Sequence, residues 1–191
     1  MHKHYVNYLK RFGYLSSAIE DSLIHRIRTK SIAKNSILLN PGEICRNLIF
    51  VNSGYFRIFS NSDEFKTIDI IGPDYYVYIS ESFLNQKPSE YGIECISDAE
   101  VISLSYYDWN ALQHHCNDFT QLIFRLLLSE KDFYKQQLTI TGKDVAKQRY
   151  LLLKKRYPQI DLSIRQNYIA DLLNISAIHL SRIKKEVLFG R

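Results

Sequence analysis

Short apolar runs separated by turn signals fill the chain between residues 36 and 105. The runs are SILLN, NLIFV, YFRIF, KTIDII, YGIECI and EVISLS, and turn signals such as NPG at 40–42 and NSG at 52–54 divide them. A spacing of roughly 8 to 12 residues is typical of an antiparallel barrel or sandwich. The pattern therefore predicts an α+β chain that begins with a helical opening over 15–27. An antiparallel, jelly-roll-like β-roll follows, and we assign residues 1–107 to this domain.

The apolar period becomes helical after Tyr107, and a stripe with a spacing of about 3.5 residues continues to Ile140. Such a stripe usually packs on its own domain. Over a stretch longer than an average globular helix, it can also pair with its own copy about a two-fold axis. We predict a long dimerisation helix and hinge over 108–141, and hence a homodimer. The residues assigned to this dimer helix are Leu112, Cys116, Phe119, Ile123 and Leu126.

Two short amphipathic segments meet at an Asn-Ile-Ser break within NYIADLLNISAIHLSRIKKEVL, residues 167–188. Asn174 suits the left-handed conformation of a tight turn, and Ser176 can cap the helix that follows. Apolar side chains return at steps of three and four on both sides of the break, as in two packed helices. The pattern predicts a helix-turn-helix domain over 142–191, whose second helix, about 176–187, is sized to enter the major groove of DNA.

The face of this second helix that points away from the core is polar and basic. An arginine there can donate two hydrogen bonds to guanine, lysines can neutralise phosphates, and small apolar side chains can touch a thymine methyl. Basic residues on an exposed helix are most often only solvated, but here the turn, the cap and a small Ala170 at the helix crossing favour DNA binding. The predicted DNA-binding residues are Gln166, Ser176, Ala177, Ile178, His179, Ser181, Arg182, Lys184 and Lys185.

The distribution of charge agrees with this assignment. Residues 143–191 contain 11 Lys and Arg against 4 Asp and Glu, whereas residues 1–142 contain 14 against 16. A basic end on a near-neutral body predicts a polyanion partner, although a solvated basic surface has the same charge. The 191 residues include no signal peptide and no membrane-spanning run, so we expect no membrane partner and a cytoplasmic location.

Few residues suggest catalysis or metal binding. The three cysteines lie far apart, which predicts reduced core thiols rather than disulfides or a C-x-x-C metal site. His114 and His115 point about 100° apart on a helix, which disfavours a shared metal. Haem ligation by one of them stays open beside an ordinary surface position. Because the sequence has no nucleophile–base pair, HExxH motif or phosphate-binding glycine loop, we predict neither an enzyme nor a cofactor or metal site.

Three segments resemble the catabolite activator/fumarate-nitrate regulator (Crp/Fnr) family of bacterial transcription factors. NISAIHLSRIKK at 174–185 is similar to its helix-turn-helix, LIFVNSGYFRIF at 48–59 to a hairpin of its β-roll, and AKQRYLLLKKRYP at 146–158 to the first helix of its DNA-binding domain. The resemblance implies a dimer formed along the long helix and an inverted-repeat operator. The chain lacks the N-terminal cysteine cluster with which some members hold an iron-sulfur centre.

The chain departs from the members that bind cyclic nucleotides. Those members hold the ribose with a Gly-Glu pair and the cyclic phosphate with an Arg-Ser or Arg-Thr pair, where this sequence has Val77-Tyr78 and Ser89-Glu90. A buried phosphate needs a cation or converging N–H groups, so we predict no binding of cyclic AMP or cyclic GMP. The residues assigned to a pocket for another, unidentified effector are Tyr76, Tyr78, Ser80, Glu81, Ser89 and Glu90; alternatively, the tyrosine rings fill the roll.

Two functions stay open at this point. The first is a dimeric, sequence-specific transcriptional regulator of double-stranded DNA, with RNA polymerase as a candidate partner and an effector other than cyclic AMP or none. The second is a small-molecule-binding or protein-interaction module with a cupin-like roll, whose C-terminal helices serve assembly. Retention on heparin to moderate salt distinguishes the first from the second.

Overall fold

The computed structural model describes residues 2–61, 66–115, 117–141 and 144–189. Its strands are β1 (Arg28–Ile32), β2 (Ile37–Leu39), β3 (Asn47–Ser53), β4 (Phe56–Ser60), β5 (Thr67–Ile71), β6 (Tyr76–Val77), β7 (Tyr91–Cys95) and β8 (Ala99–Ser105). Its helices are α1 (His2–Lys10), α2 (Ser17–Arg26), α3 (Ser80–Asn85), α4 (Tyr106–His115), α5 (Asn117–Thr139), α6 (Val145–Arg156), α7 (Ile160–Ser163), α8 (Gln166–Leu173) and α9 (Ala177–Phe189). The predicted fold class, an antiparallel roll followed by helices, is confirmed.

The roll consists of two four-stranded antiparallel sheets, in the orders β1-β8-β3-β6 and β2-β7-β4-β5. The six apolar runs of the sequence correspond to β2, β3, β4, β5, β7 and β8. The sequence pattern did not reveal β1, where four of five side chains are exposed, or the two-residue β6. Both strands are held by backbone pairing with neighbours that are themselves strongly apolar.

Gly54 forms the tight connection between β3 and β4. Its φ is +87°, and an added Cβ would lie 2.5 Å from the Cβ of Ala99 and from the carbonyl oxygen of Asp98. A side chain is therefore excluded both by the backbone conformation and by the approach of β8. Gly54 fixes how closely the hairpin packs on the neighbouring strand.

Helix α1, which the sequence pattern did not reveal, covers one end of the roll with aromatic side chains. Tyr5 and Tyr8 are buried against Phe50, with ring centroids 5.0 and 4.8 Å away. The hydroxyl of Tyr76 donates a hydrogen bond to that of Tyr5 at 3.0 Å. Burial raises the pKa of Tyr5 to about 12. This interior of the roll is continuous with the buried faces of α2, α4 and α5.

The C-terminal helices pack on the other face of the β4–β5 hairpin. Ile71 belongs to the core inside the roll, whereas its neighbour Ile70 joins a second core with the C-terminal helices, because successive strand residues point to opposite faces. Tyr157 in that second core contacts Tyr55 and Tyr75 edge-on, at centroid distances of 5.7 and 5.6 Å. The roll and the C-terminal helices thus share an apolar core.

Cys45 and Cys95 are buried free thiols. Burial raises the pKa of both, to about 11 for Cys95, which keeps these thiols in the neutral form. Cys116 lies outside the described residues. Within the described ranges, no three His, Cys, Asp or Glu side chains are grouped closely enough to hold a metal ion. No helix in the same ranges combines the length and the apolarity that a membrane crossing requires.

Candidate nucleic-acid interface

Helices α8 and α9 are joined by a turn with the conformation predicted from the sequence. Asn174 is left-handed, with φ 56° and ψ 45°. Its N–H donates to the carbonyl of Asp171 at 2.9 Å, and the N–H of Ile175 donates to that of Ala170 at 3.0 Å, so the last carbonyls of α8 are satisfied. The Oγ of Ser176 accepts a hydrogen bond from the N–H of His179 at 3.1 Å, which caps α9.

A small apolar core fixes the angle between these helices. Ile169, Ala170 and Leu173 of α8 and Leu180 and Ile183 of α9 are all buried. They pack against side chains of α6 and of the segment that follows it: Tyr150, Leu153, Tyr157, Ile160 and Ile164. With Leu180 and Ile183 facing inward, the opposite side of α9 must face solvent.

This solvent-facing side is here termed the α9 outer face, and it consists of Ala177, Ile178, His179, Arg182 and Lys185. All five are exposed, and 70% of the surface of Ile178 is accessible. Ile178, Arg182 and Lys185 follow one another at steps of four and three, so they form a single row. Of the other predicted contacts, Ser176 and Gln166 are exposed at the starts of their helices, and Ser181 is half-buried beside the row.

Lys184, which was also predicted to contact DNA, does not lie on the α9 outer face. Its Nζ lies 2.6 Å from Oδ1 of Asp161, and only 13% of its side chain is exposed. Lys154 and the hydroxyl of Tyr150 contact the other oxygen of Asp161 at 3.0 and 2.6 Å. Burial of Asp161 favours the neutral carboxyl, but the contacts from Lys184, Tyr150 and Lys154 outweigh it and lower the pKa. Lys184 therefore has a structural partner within the chain.

The α8–α9 turn also contacts the roll. Nζ of Lys66, just before β5, donates a hydrogen bond to Oδ1 of Asn174 at 2.6 Å. In the adjacent strand, the guanidinium of Arg57 lies 4.9 Å from the ring centroid of Tyr168 in α8 and donates to Glu94 at 2.6 Å. These contacts set the orientation of α9 relative to the roll.

The residues predicted for a dimer seam lie in the interior of the chain's own core. Leu112, Phe119, Ile123 and Leu126 are all buried in the core of the roll, and Cys116 lies outside the described residues. Ile123 and Leu126 face Tyr78, Phe83 and Trp109 across a narrow apolar gap. The physical reason is that the roll needs an apolar cover, and this stripe supplies it. A different face of α5 is exposed, with Phe124 at 61%, Leu128 at 48% and Leu127 at 38%.

The residues predicted for an effector pocket separate into two groups. Tyr76, Tyr78 and Ser80 line a cavity of about 610 Å³ between the roll, α5 and the C-terminal helices. Glu81 and Glu90 are exposed and do not line it. Ser89 is buried, but its hydroxyl is used locally, because it donates to the carbonyl of Tyr91 and accepts from its N–H. The structure therefore places Tyr76, Tyr78 and Ser80 at this cavity, and Glu81, Ser89 and Glu90 away from it.

Comparisons with known proteins agree with this architecture. Residues 29–115 match the cyclic nucleotide-binding domain family. FixK2 from Bradyrhizobium japonicum superposes with a TM-score of 0.72 at 12% identity over 86% of this chain and 85% of its own. A protein of Eubacterium rectale described as a crp/fnr-family transcriptional regulator superposes at 0.66, with 18% identity over 92% and 85%.

The catabolite activator protein of Thermus thermophilus has a TM-score of 0.53 and 18% identity, covering 96% of this chain and 87% of its own. No curated protein sequence matches the chain. At these identities the solved structures establish the fold: a cyclic-nucleotide-binding-type roll followed by helices, as in Crp/Fnr-type regulators.

Proposed function

We propose that this protein is a sequence-specific, DNA-binding transcriptional regulator of the Crp/Fnr type that acts as a homodimer, with α9 as its recognition helix. The observation that carries the proposal is the α9 outer face. It combines a 70%-exposed isoleucine with an exposed arginine and lysine, on a helix whose opposite side is fixed by a packed core. The left-handed turn at Asn174, the Ser176 cap and the packed core make α8 and α9 a helix-turn-helix, and in such a unit the outer face of the second helix is the one that enters the major groove.

Each residue of the α9 outer face suits a different part of a DNA duplex. Ala177 and Ile178 are at the N-terminal end, which enters the major groove first, and can contact thymine methyl groups. Arg182 lies one turn further on the same side and can donate two hydrogen bonds to guanine. Lys185 is nearly another turn along, where a recognition helix leaves the groove, and suits a phosphate.

Helix α8 adds contacts of a second kind. Its first residue, Gln166, is exposed beside an exposed Arg165, and both lie at the N-terminus of α8, which has no side-chain cap. Such a terminus suits a DNA phosphate, because its N–H groups and partial positive charge face the anion. These contacts would fix the position of the protein on the duplex rather than select a sequence.

Dimerisation is assigned to the exposed face of α5. Phe124, Leu127 and Leu128 are separated by steps of three and one, and together they form an apolar patch on a helix of 23 residues. A second copy of α5 about a two-fold axis would cover this patch and set two recognition helices side by side. Two recognition helices related in this way require an inverted-repeat site.

The roll is not proposed to bind a cyclic nucleotide. At the positions that correspond to the ribose and phosphate contacts, Val77 is buried in the core, Tyr78 packs edge-on against Phe83, and Ser89 is used within its own hairpin. None of these side chains supplies a positive charge to a phosphate. We propose that the regulator responds to an effector other than cyclic AMP or to none.

Selection of binding sites from random duplex DNA by the purified full chain is the experiment that tests this function. We expect an inverted repeat with half-sites centred about 10 base pairs apart. Failure to enrich any sequence, together with early elution from heparin, would instead support the alternative in which the C-terminal helices serve assembly.

A further inference from the structure

Three parts of the chain border the cavity of about 610 Å³: the roll, α5 and the C-terminal helices. Ile71 and Tyr78 contribute from the roll, Tyr134 from α5, and Arg149 and Leu153 from α6, while Leu172 of α8 completes the wall. Ligand sites in proteins have volumes of roughly 300 to 1,000 Å³ and mostly apolar walls with a few polar groups. This cavity agrees with that description in both respects.

We propose that this cavity binds a small amphipathic monocarboxylate, whose carboxylate contacts Arg149 and whose apolar body lies against the aliphatic and aromatic wall. The inference is independent of the proposed DNA binding, because it concerns the protein without DNA.

Arg149 is the residue that selects for an anion. It lines the cavity, its Nε is buried, and that atom has no hydrogen-bond partner among the described residues. It forms no ion pair with a described carboxylate, in contrast to Lys147 and Lys154 on the same helix, which pair with Glu186 and Asp161. The guanidinium of Arg149 lines the cavity without a paired carboxylate among the described residues, and a carboxylate is the group that best matches the terminal nitrogens of a guanidinium.

Asp69, the acidic residue in the cavity wall, is not the ion-pair partner of Arg149. Oδ2 of Asp69 accepts a hydrogen bond from the hydroxyl of Tyr134 at 2.5 Å, and Oδ1 accepts one from the N–H of Ile70 at 2.8 Å. Burial raises the pKa of Asp69, while Tyr134 and the nearby Arg156 partly offset that shift. Each oxygen of Asp69 thus already accepts a hydrogen bond from another group, and Asp69 forms no ion pair with Arg149, so the guanidinium of Arg149 is left for a ligand carboxylate.

The rest of the wall determines the body of the ligand. Ile71, Leu153 and Leu172 offer only apolar surface, and the rings of Tyr78 and Tyr134 can stack on an aromatic or cover an alkyl chain. A single cation facing an apolar wall therefore matches a monocarboxylate with a hydrocarbon or phenyl body.

Isothermal titration calorimetry on the full chain tests the proposal directly. The probes are decanoate and 4-phenylbutanoate, each compared with its neutral amide, and cyclic AMP. We expect at least one acid to bind at one site per chain with a dissociation constant below about 1 mM. Its amide should bind at least about tenfold more weakly, because the amide lacks the charge that pairs with Arg149. This comparison uses only the unmodified protein.

Substitutions of Arg149 test whether the carboxylate of the bound acid contacts this residue. Arg149→Met should weaken binding of the acid by about tenfold or more and leave binding of the amide unchanged. Arg149→Lys keeps the positive charge, so this variant should still bind the acid more tightly than the amide, though by a smaller factor than the unmodified chain does. Lys155→Met, an exposed lysine on the same helix outside the cavity, serves as the matched control and should bind like the unmodified chain. The proposal is overturned if neither acid binds, if acid and amide bind equally, if cyclic AMP binds more tightly than either acid, or if folded Arg149→Met retains full affinity.

Discussion

Nζ of Lys184 lies 2.6 Å from Oδ1 of Asp161, whereas the next residue, Lys185, is exposed on the α9 outer face. The ion pair joins the middle of α9 to α7, so that two adjacent lysines of one helix have different roles. Lys184 supports the packing of α9, and Lys185 is available to a ligand. The difference can be measured with single substitutions.

Lys184→Ala should lower the free energy of unfolding by about 1 to 3 kcal/mol, because it leaves Asp161 with one charged partner fewer in a half-buried site. Lys185→Ala should change stability by less than about 0.5 kcal/mol, as for most exposed positions. Urea denaturation followed by circular dichroism gives both values. On DNA, Lys185→Ala should make the dependence of log affinity on log salt shallower by about one. Equal effects of the two substitutions on stability would contradict these roles.

Asp161 makes stability depend on pH in a definite direction. Its pKa is below the ordinary value of 3.8 in the folded chain, so its ionised form stabilises the fold. This contribution is fully present above pH 3.8 and is lost as the pH falls through the lowered folded-state value. Asp161→Asn should therefore destabilise the protein at pH 7 and reduce the loss of stability on acidification. Thermal melts of both proteins between pH 7 and pH 3 test this; parallel curves would contradict it.

Phe124→Glu combined with Leu128→Glu should convert the proposed dimer to monomers, because four like charges would meet at a two-fold interface. Glutamate at Ile123 or Leu126 would instead disrupt the core of the roll, where both are buried. Tyr107→Glu is the control, since it places the same charge at an 81%-exposed aromatic on α4. Light scattering gives the mass. A double variant that remains dimeric, or a monomeric unmodified chain, would exclude α5 as the interface.

Gly54→Ala should destabilise the roll by more than Gly42→Ala does. Both glycines have positive φ, +87° and +90°, but a Cβ at Gly42 meets no atom within 4 Å, whereas at Gly54 it would contact Ala99 and Asp98 at 2.5 Å. We expect about 1 kcal/mol for Gly42→Ala from backbone strain and at least about 2 kcal/mol for Gly54→Ala, where a steric clash is added. The midpoints of urea denaturation measure the loss of stability in both variants. Equal shifts of the midpoint would contradict the claim that the close approach of β8 excludes a side chain at Gly54.

The parts of the structure that the sequence predicted are those determined by local interactions. The turn at Asn174 and the cap at Ser176 depend on bonds that span three to five residues, so the residue types alone indicate them. The apolar runs likewise identify six of the eight described strands. In contrast, β1 has mostly exposed side chains and is a strand only because its backbone pairs with β8.

The parts that the sequence could not predict depend on distant partners. Nothing in the sequence near Lys184 indicates that its ammonium group forms an ion pair with Asp161, 23 positions earlier. The stripe of Ile123 and Leu126 has the same spacing whether it covers the chain's own roll or a second copy of the helix. In the structure both side chains pack in the core of the roll. Likewise, the sequence predicted Tyr76 and Tyr78 as pocket residues but gave no sign of Arg149, which lines the same cavity from helix α6.

The central claim is that the α9 outer face reads DNA sequence, and fluorescence anisotropy of labelled duplexes with Arg182→Ala tests it most directly. Against the selected site, this substitution should cost roughly 1 to 3 kcal/mol and relax the preference at one position of each half-site. Affinity for a scrambled duplex should fall much less. Lys30→Ala, an exposed lysine on β1, is the control and should bind like the unmodified chain. If Arg182→Ala binds both duplexes as the unmodified chain does, Arg182 does not read DNA and the central claim is wrong.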